Sequence, residues 1–412
     1  MAVGRSGVVA ALDIGTTKVS CFIARIDGRG MIRVGGVGHH EAKGLRAGAI
    51  IDIDAAEEAI RAAVDSAERL ANETIDEVIV SFSGGYPASH TVGIEIGVHG
   101  RQVTDLDVNR VLAEARAHVE PGDNEVVHAI PVGFTLDGTN GIKDPRSMHG
   151  SRLGVNLHVV TAATGVLRNL DTCIERGHLS IQRRVLSSYA AGLACLVEDE
   201  MELGVTVIDM GGGTTTIAVF AGGQLVFADG IPVGGNHVTN DIARGLSTPR
   251  SHAERMKTLY GSALPSPTDE KDIMEVPLIG EEDAANATHV PRSALTGIIQ
   301  PRVEETLELA RDKLEAGGAV ARAGQRVVLT GGASQLQGMR ELAARILDKQ
   351  VRIGRPIRIS GLAEATAGPG FSACAGLLLY AARNPQEAIA TDLPGDMGNR
   401  FARIGRWFKE NF

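Results

Sequence analysis

Val205-Thr206-Val207-Ile208-Asp209-Met210-Gly211-Gly212-Gly213-Thr214-Thr215-Thr216 reads as a buried strand that ends in an acid and runs into a glycine turn. Residues 215–220 return as a second strand. The same design stands near the start of the chain. Residues 8–13 are five apolar residues closed by Asp13, Gly15-Thr16-Thr17 form a tight turn, and residues 19–24 return. The two acids lie 196 positions apart. A duplicated strand–turn–strand unit implies two related α/β domains facing each other. In each unit the glycines let backbone N–H groups approach an anion, and the threonine hydroxyls add donors for phosphate oxygens. The candidate anion-binding set is Asp13, Gly15, Thr16, Thr17 and Lys18 in the first unit, and Asp209, Gly211, Gly212, Gly213 and Thr214 in the second. A carboxylate repels phosphate, so Asp13 and Asp209 are read as holding Mg²⁺ through water. Lys18 adds a point charge.

A third element, Val327-Val328-Leu329-Thr330-Gly331-Gly332-Ala333-Ser334, is a strand leading into a glycine turn and a helix. Its Gly331, Gly332 and Ala333 are placed to approach the adenosine end of a nucleotide. Any one of these segments alone is as well read as an ordinary β-turn. Three in order, two of them duplicates, argue for a nucleotide site. The chain has no Gly-Lys dipeptide and so no Walker loop, and no GxGxxG follows a strand.

Around these motifs lie the elements of a larger body. Residues 54–72 read as a helix capped by Asp52 or Asp54, with Ile60, Ala63, Val64, Ala67 and Leu70 on one face. Residues 83–161 alternate short strands with one helix at 106–118, a small α+β insertion. Residues 243–318 form a second insertion, ending in a helix that is read as starting near Pro301 and stopping at Gly317-Gly318. The chain of 412 residues carries a net charge of −9, which argues against general nucleic-acid binding. Its four cysteines (Cys21, Cys173, Cys195, Cys374) are far apart and are read as reduced, buried thiols. Asp13 interrupts the first apolar stretch before a secretory signal could form, and residues 373–382 are about half the length of a membrane span. A cytoplasmic location is the resulting expectation.

The three motifs, in this order and spacing, resemble the actin/Hsp70/sugar-kinase ATPase superfamily. Further segments narrow the resemblance to the FtsA family of bacterial cell division proteins: Gly141-Ile142-Lys143-Asp144-Pro145, Ser187-Ser188-Tyr189-Ala190-Ala191-Gly192-Leu193, Gly234-Gly235-Asn236, Gln350-Val351-Arg352-Ile353-Gly354 and Gly376-Leu377-Leu378-Leu379-Tyr380. The resemblance implies an actin-like duplicated fold. Subdomain 1A would take residues 1–82 and 162–200, subdomain 1C residues 83–161, subdomain 2A residues 201–242 and 319–383, and subdomain 2B residues 243–318. It also implies ATP as ligand, with Gly234 and Gly235 in the site and Glu254 and Lys257 near ribose and adenine. As a plain reading, Glu254 and Lys257 are an i,i+3 ion pair on an exposed helix. The resemblance further implies that subdomain 2B binds the C-terminal peptide of FtsZ, with Arg302 as the contact and Arg292 beside it, and that subdomain 1C takes other division proteins. ATP would act as a switch for self-assembly into a polymer, with weak ATPase activity at most. No residue that positions an attacking water can be picked. A pilus-assembly scaffold resembling PilM and a small-molecule kinase of the same superfamily are the competing readings.

Residues 384–398 read as a linker, and the segment after it is unlike the rest of the chain. Residues 401–412 hold four of the chain's 14 aromatics, including its only tryptophan. At 100° per residue, Phe401, Ile404, Trp407, Phe408 and Phe412 share one helical face, with Arg403, Arg406 and Lys409 opposite. That is the pattern of an interfacial amphipathic helix binding anionic lipid. The pattern leads to the expectation of a peripheral membrane protein, and the family resemblance implies that it lies on the cytoplasmic side of the inner membrane at the division septum.

Overall fold

A computed structural model describes residues 7–280 and 288–383. Their contacts divide them into a larger unit, residues 7–89, 123–125 and 162–383, and a smaller one, residues 90–122 and 126–161.

The larger unit contains the same sheet twice. In the first, Gly7–Ile14 and Lys18–Ile26 form an antiparallel hairpin, and Ile32–Glu41 adds to its far edge. Glu77–Phe82 and then Ser180–Leu186 add in parallel on the other side. In the second, Val205–Met210 and Thr215–Ala221 form the hairpin and Gln224–Ile231 extends it. Arg326–Thr330 and then Gln350–Ile353 add in parallel. Order and polarity match strand for strand. The inner strands are buried on both faces, as near-continuous apolar runs require.

Glycines set how closely helices approach. Helix Ile53–Ala71, capped by Asp52, whose side chain accepts from Ala55 N at 3.1 Å, lies on strand Ile32–Glu41. A Cβ on Gly36 or Gly38 of that strand would sit 2.2 Å from Ala67 O or 1.9 Å from Ala63 O. Leu70 does not join the buried face and is 68% exposed. It sits in the last turn of the helix, one residue before its end at Ala71. Helix Ser187–Cys195, wholly buried, and helix Ser372–Arg383, buried from Ser372 to Ala381, pack on each other. Their contact depends on Gly376, whose Cβ would stand 1.7 Å from Ala190 O. All four cysteines are free and buried.

The helix expected from Pro301 in fact runs Arg292–Ala316, with the proline inside it. Leu295 and Ile299 extend the buried stripe of Val303, Leu307, Ala310 and Leu314 by two turns. Burial of that stripe outweighs the lost N–H donor. Pro301 and Gly297, the residue four back, are both exposed, so water can satisfy the freed carbonyl.

The smaller unit has one helix, Asp105–Ala117, over the strands Asn124–Leu136, Thr139–Ile142, Arg152–Ala163 and most of Ala88–Gly97. Val108, Val111 and Leu112 of the helix meet Leu153, Val155 and Leu157 of the sheet in one core. Thr104 caps the helix against the buried Asp107. Hydrogen bonds from Arg101 and then Thr104 hold that carboxyl well below the usual carboxylate range.

Candidate functional site: a cleft walled by three glycine turns

The two hairpin turns have the same geometry. Gly15 N donates to Lys18 O at 3.0 Å, and Gly211 N donates to Thr214 O at 2.8 Å. With strand partners Asp13↔Ser20 and Asp209↔Thr216, positions 15–18 therefore correspond to 211–214. The turns meet crosswise: a Cβ on Gly212 would lie 2.3 Å from Thr17 Cγ2, and one on Gly213 would lie 2.4 Å from Thr16 Oγ1. Only a turn without side chains at 212 and 213 admits the two threonines. Thr16 Oγ1 also accepts from Gly48 N at 3.1 Å, and Thr214 Oγ1 donates to Ser83 Oγ at 3.0 Å.

The third element docks against the second. Gly331 has φ +83°, and a Cβ there would lie 2.5 Å from Asp209 Oδ1 and 2.4 Å from Met210 O. Helix Gly235–Gly245 also starts on the second turn, with Gly235 N donating to Gly211 O at 3.0 Å and Asn236 N to Gly212 O at 2.7 Å. A Cβ on Gly234 would meet Gly211 O at 2.6 Å.

Together these turns wall a cleft of about 460 Å³. Of the residues expected in a nucleotide site, Thr17, Gly212, Gly234, Gly235, Glu254, Lys257, Gly332 and Ala333 line it. Asp13, Gly15, Thr16, Lys18, Asp209, Gly211, Gly213, Thr214 and Gly331 are not among the residues that line it, and Thr214 faces a second cavity of about 240 Å³. Glu254 and Lys257 do form the ion pair, at 2.7 Å. The pair is nevertheless part of the cleft: Lys257 Nζ also donates to Thr239 Oγ1 at 2.9 Å and Gly235 O at 3.2 Å. Burial works to raise the Glu254 pKa, but the hydrogen bonds from Lys257 and Thr239 outweigh it and the net direction is down.

Some lining residues escaped the sequence reading. Val303 and Met339 carry a core-like apolar pattern, and Leu259, Leu336 and Gln337 belong to no motif. Asn236 had a signal, since it comes directly after the Gly234-Gly235 pair.

Both acids keep some accessible surface, yet burial raises both pKa values. Asp13 is raised, with Ser81 Oγ donating to it and Lys18 nearby to temper the shift. Asp209 is pushed up to about 7, first by burial and then by the Asp13 charge. Burial likewise lowers the Lys18 pKa, against the attraction of Asp13 and Asp209. Among the described residues no group of three or more His, Cys, Asp or Glu could hold a metal. Asp13 and Asp209, whose charges act on each other, are the acidic pair at the two turns. That pair suits Mg²⁺, which keeps most of its water and takes phosphate oxygens, better than an ion needing an all-protein cage.

Arg302 is not a free surface cation. Its Nε donates to Asp241 Oδ2 at 2.5 Å, and its guanidinium pairs with Glu305, leaving the side chain 27% exposed. Arg292 is more committed still, donating to Tyr260 O at 2.8 Å and Gln337 Oε1 at 2.9 Å. The tail residues Phe401, Arg403, Ile404, Arg406, Trp407, Phe408, Lys409 and Phe412 lie outside the described residues. Among the described residues no helix is long and apolar enough to cross a membrane.

Two family descriptions match this chain: "Cell division protein FtsA" over residues 206–376 and "SHS2 domain inserted in FTSA" over residues 84–161. Cell division protein FtsA of Rhizobium meliloti (strain 1021) is 48% identical over 422 aligned positions, covering 99% of this chain and 96% of the relative. The chain belongs to the FtsA family. The Escherichia coli (strain K12) FtsA is 32% identical, covering 98% of each chain. It is thus a cell division protein of actin-like, duplicated α/β fold with an inserted α+β domain. Solved structures agree on the fold. A chain of the PilM-PilN type IV pilus biogenesis complex aligns at a TM-score of 0.63 with 16% identity, covering 92% of this chain and 99% of that one. MreB5 of Spiroplasma citri bound to ADP aligns at 0.54 with 13% identity, covering 94% and 98%.

Proposed function

We propose that this FtsA family member binds MgATP in the three-walled cleft, assembles with itself in an ATP-dependent way, and tethers FtsZ filaments to the cytoplasmic membrane at the division septum. The observation that carries the nucleotide reading is the crosswise meeting of Thr16 and Thr17 with Gly213 and Gly212. It brings backbone N–H groups and hydroxyls from two domains to one point beside a cleft large enough for a nucleotide. The MreB5 structures bound to ADP and AMPPNP lend support, because they share the fold. Asp13 and Asp209 would hold Mg²⁺ through its water ligands, and the ion would neutralise phosphate charge next to two carboxylates that repel each other. Nothing in the site marks a residue that positions an attacking water, so ATP serves as an assembly switch with weak turnover at most.

Attachment is assigned to the tail, because residues 400–412 carry a net +3 while residues 1–399 carry −12. An acidic body is repelled by anionic lipid, so the basic, aromatic segment does the binding. One such tail binds reversibly, and a polymer multiplies it by avidity. FtsZ-peptide binding is assigned to the surface around Arg302, where the Asp241 and Glu305 partners would exchange for the peptide's acidic groups. Arg292, already held by Tyr260 and Gln337, has a supporting place. A pilus-assembly role rests on fold likeness to PilM alone.

The test is liposome pelleting of the full chain with MgATP, with and without FtsZ, against a chain truncated after Pro394 and the variants Trp407→Glu and Arg302→Glu. Truncation and Trp407→Glu should abolish pelleting, and Arg302→Glu should lose FtsZ but keep lipid and nucleotide. Pelleting that survives Trp407→Glu would discredit the tail, and FtsZ recruitment that survives Arg302→Glu would remove that assignment.

A further inference from the structure

Lys18 ends the first hairpin turn, and its ammonium does not lie in the open. Nζ stands 3.3 Å from the centroid of the Phe371 ring. That ring is fixed by its neighbours: it stacks on Phe22 with centroids 5.9 Å apart, and His39 meets it edge-on at 5.8 Å. A Cβ on Gly370 would lie 3.0 Å from Lys18 Nζ and 3.6 Å from Gly332 Cα, so a glycine at 370 keeps open the space between the ammonium and the cleft wall. The short turn Pro369–Phe371 is pinned in its own right. Gly331 N donates to Pro369 O at 3.2 Å, and Phe371 N donates to Gly368 O at 3.1 Å.

We infer that Phe371 is a positioning residue for Lys18: its ring seats the ammonium at the junction of the two hairpins, where the cation meets the polyphosphate of the bound nucleotide. This rests on the nucleotide reading proposed for the cleft. An ammonium drawn out of water needs compensation, and burial already works against its charge here. The negative face of an aromatic ring supplies that compensation without a net charge. A carboxylate in the same place would hold Lys18 by an ion pair that phosphate would first have to break. A ring does not compete in that way. Its stack on Phe22 keeps it from swinging aside when the ammonium shifts toward a ligand.

The same turn leads directly into helix Ser372–Arg383, the last described helix of the chain. Thr330 Oγ1, in the third element, is 2.8 Å from Ser372 Oγ and 3.2 Å from Pro369 O. The seat for Lys18 is therefore braced from the cleft wall and from the helix start together.

The experiment measures MgATP affinity of the full chain with a fluorescent nucleotide, for Phe371→Leu and Phe371→Tyr, each in the unaltered and the Lys18→Met background. Phe371→Leu should weaken binding about threefold to thirtyfold, the range of a partly desolvated cation–π contact. Phe371→Tyr, which keeps the ring, should stay within about twofold, well inside that range. In the Lys18→Met background Phe371→Leu should add no further loss. An equal loss in both backgrounds overturns the inference, because it marks Phe371 as packing only, and so does no loss in either. If Phe371→Leu does not fold, Phe371→Met is read by the same comparison. Failure of the unaltered chain to bind MgATP overturns the nucleotide reading and this assignment with it, whereas binding by the unaltered chain leaves that reading standing whatever Phe371 does.

Discussion

The two hairpins have the same topology and opposite chemistry. At equivalent turn positions the first carries Thr16, Thr17 and Lys18, and the second carries Gly212, Gly213 and Thr214. Because each threonine faces the glycine that is not its own equivalent, the contact has the crosswise pattern of a two-fold pair. A symmetric pair of Thr-Thr turns would collide at both points, and a symmetric pair of Gly-Gly turns would supply no hydroxyls. Duplication gave the frame, and divergence of two residues in one copy let the copies meet. The acids diverge as well. Asp13 pairs in register with Ser81, whose hydroxyl donates to it. Asp209 pairs with Thr330, whose hydroxyl instead lies by Pro369 O and Ser372 Oγ.

The sharpest way to break this comparison is to add one methyl to the glycine side. Gly213→Ala places a Cβ against Thr16, and overpacking of about 1–3 kcal/mol corresponds to a tenfold to hundredfold loss of MgATP affinity. Thr16→Ala in the same chain should restore part of it. Gly15→Ala, whose Cβ would meet only Lys18 O of its own turn at 3.0 Å, should lose less in the same titration. Equal losses at 213 and 15 would mean that crosswise packing is not what the glycines serve.

A second prediction concerns the acids. A carboxyl whose pKa is raised in the folded chain holds its proton more tightly there. Its contribution is full below the unfolded value near 3.8 and is lost as pH rises through about 7 for Asp209. Without Mg²⁺ or nucleotide, the melting temperature should therefore fall across that window. Asp209→Asn should flatten the fall, raising the melting temperature at pH 8 by a few degrees while weakening MgATP binding. Asp13→Asn should flatten it too, since burial raises that carboxyl as well. A chelator-treated melting series from pH 4 to 8 reads both, and an Asp209→Asn curve parallel to the unaltered one would refute the account.

Two smaller effects sharpen the contrast. Lys257→Met removes donors to Gly235 O and Thr239 and should weaken nucleotide binding about fivefold to thirtyfold, at ~1 kcal/mol per lost hydrogen bond. Ser81→Ala takes away the donor to Asp13 and should make the first acid resemble the second, moving the melting curve by about a degree. Thr330→Val, at the matching register position, removes the bonds to Pro369 O and Ser372 Oγ and should lower the melting temperature at every pH without changing its pH dependence.

Much of this was legible in the residues. The acid–glycine–hydroxyl pattern, read twice, gave the duplicated sheet, because a strand ending in a carboxylate and a glycine turn is a local feature. The cap of helix Ile53–Ala71 was readable as Asp52 or Asp54, and the structure selects Asp52. Leu70 and the helix through Pro301 were misread for one reason: local propensity named a face and a start, and long-range burial decided both. The cleft wall from Val303, Leu336 and Met339 had no local signal, since a side chain facing a cleft and one facing a core share the same apolar pattern.

The sequence alone determined that the acid–glycine turn occurs twice, which residues each copy carries, and that the charge and aromatics of residues 400–412 differ from the rest. Only the tertiary structure decided which turn presses on which, that burial raises both acids, and that Lys18 rests on Phe371. Those outcomes depend on distances between segments far apart in the chain, and desolvation and contact act through space, where sequence spacing carries no information.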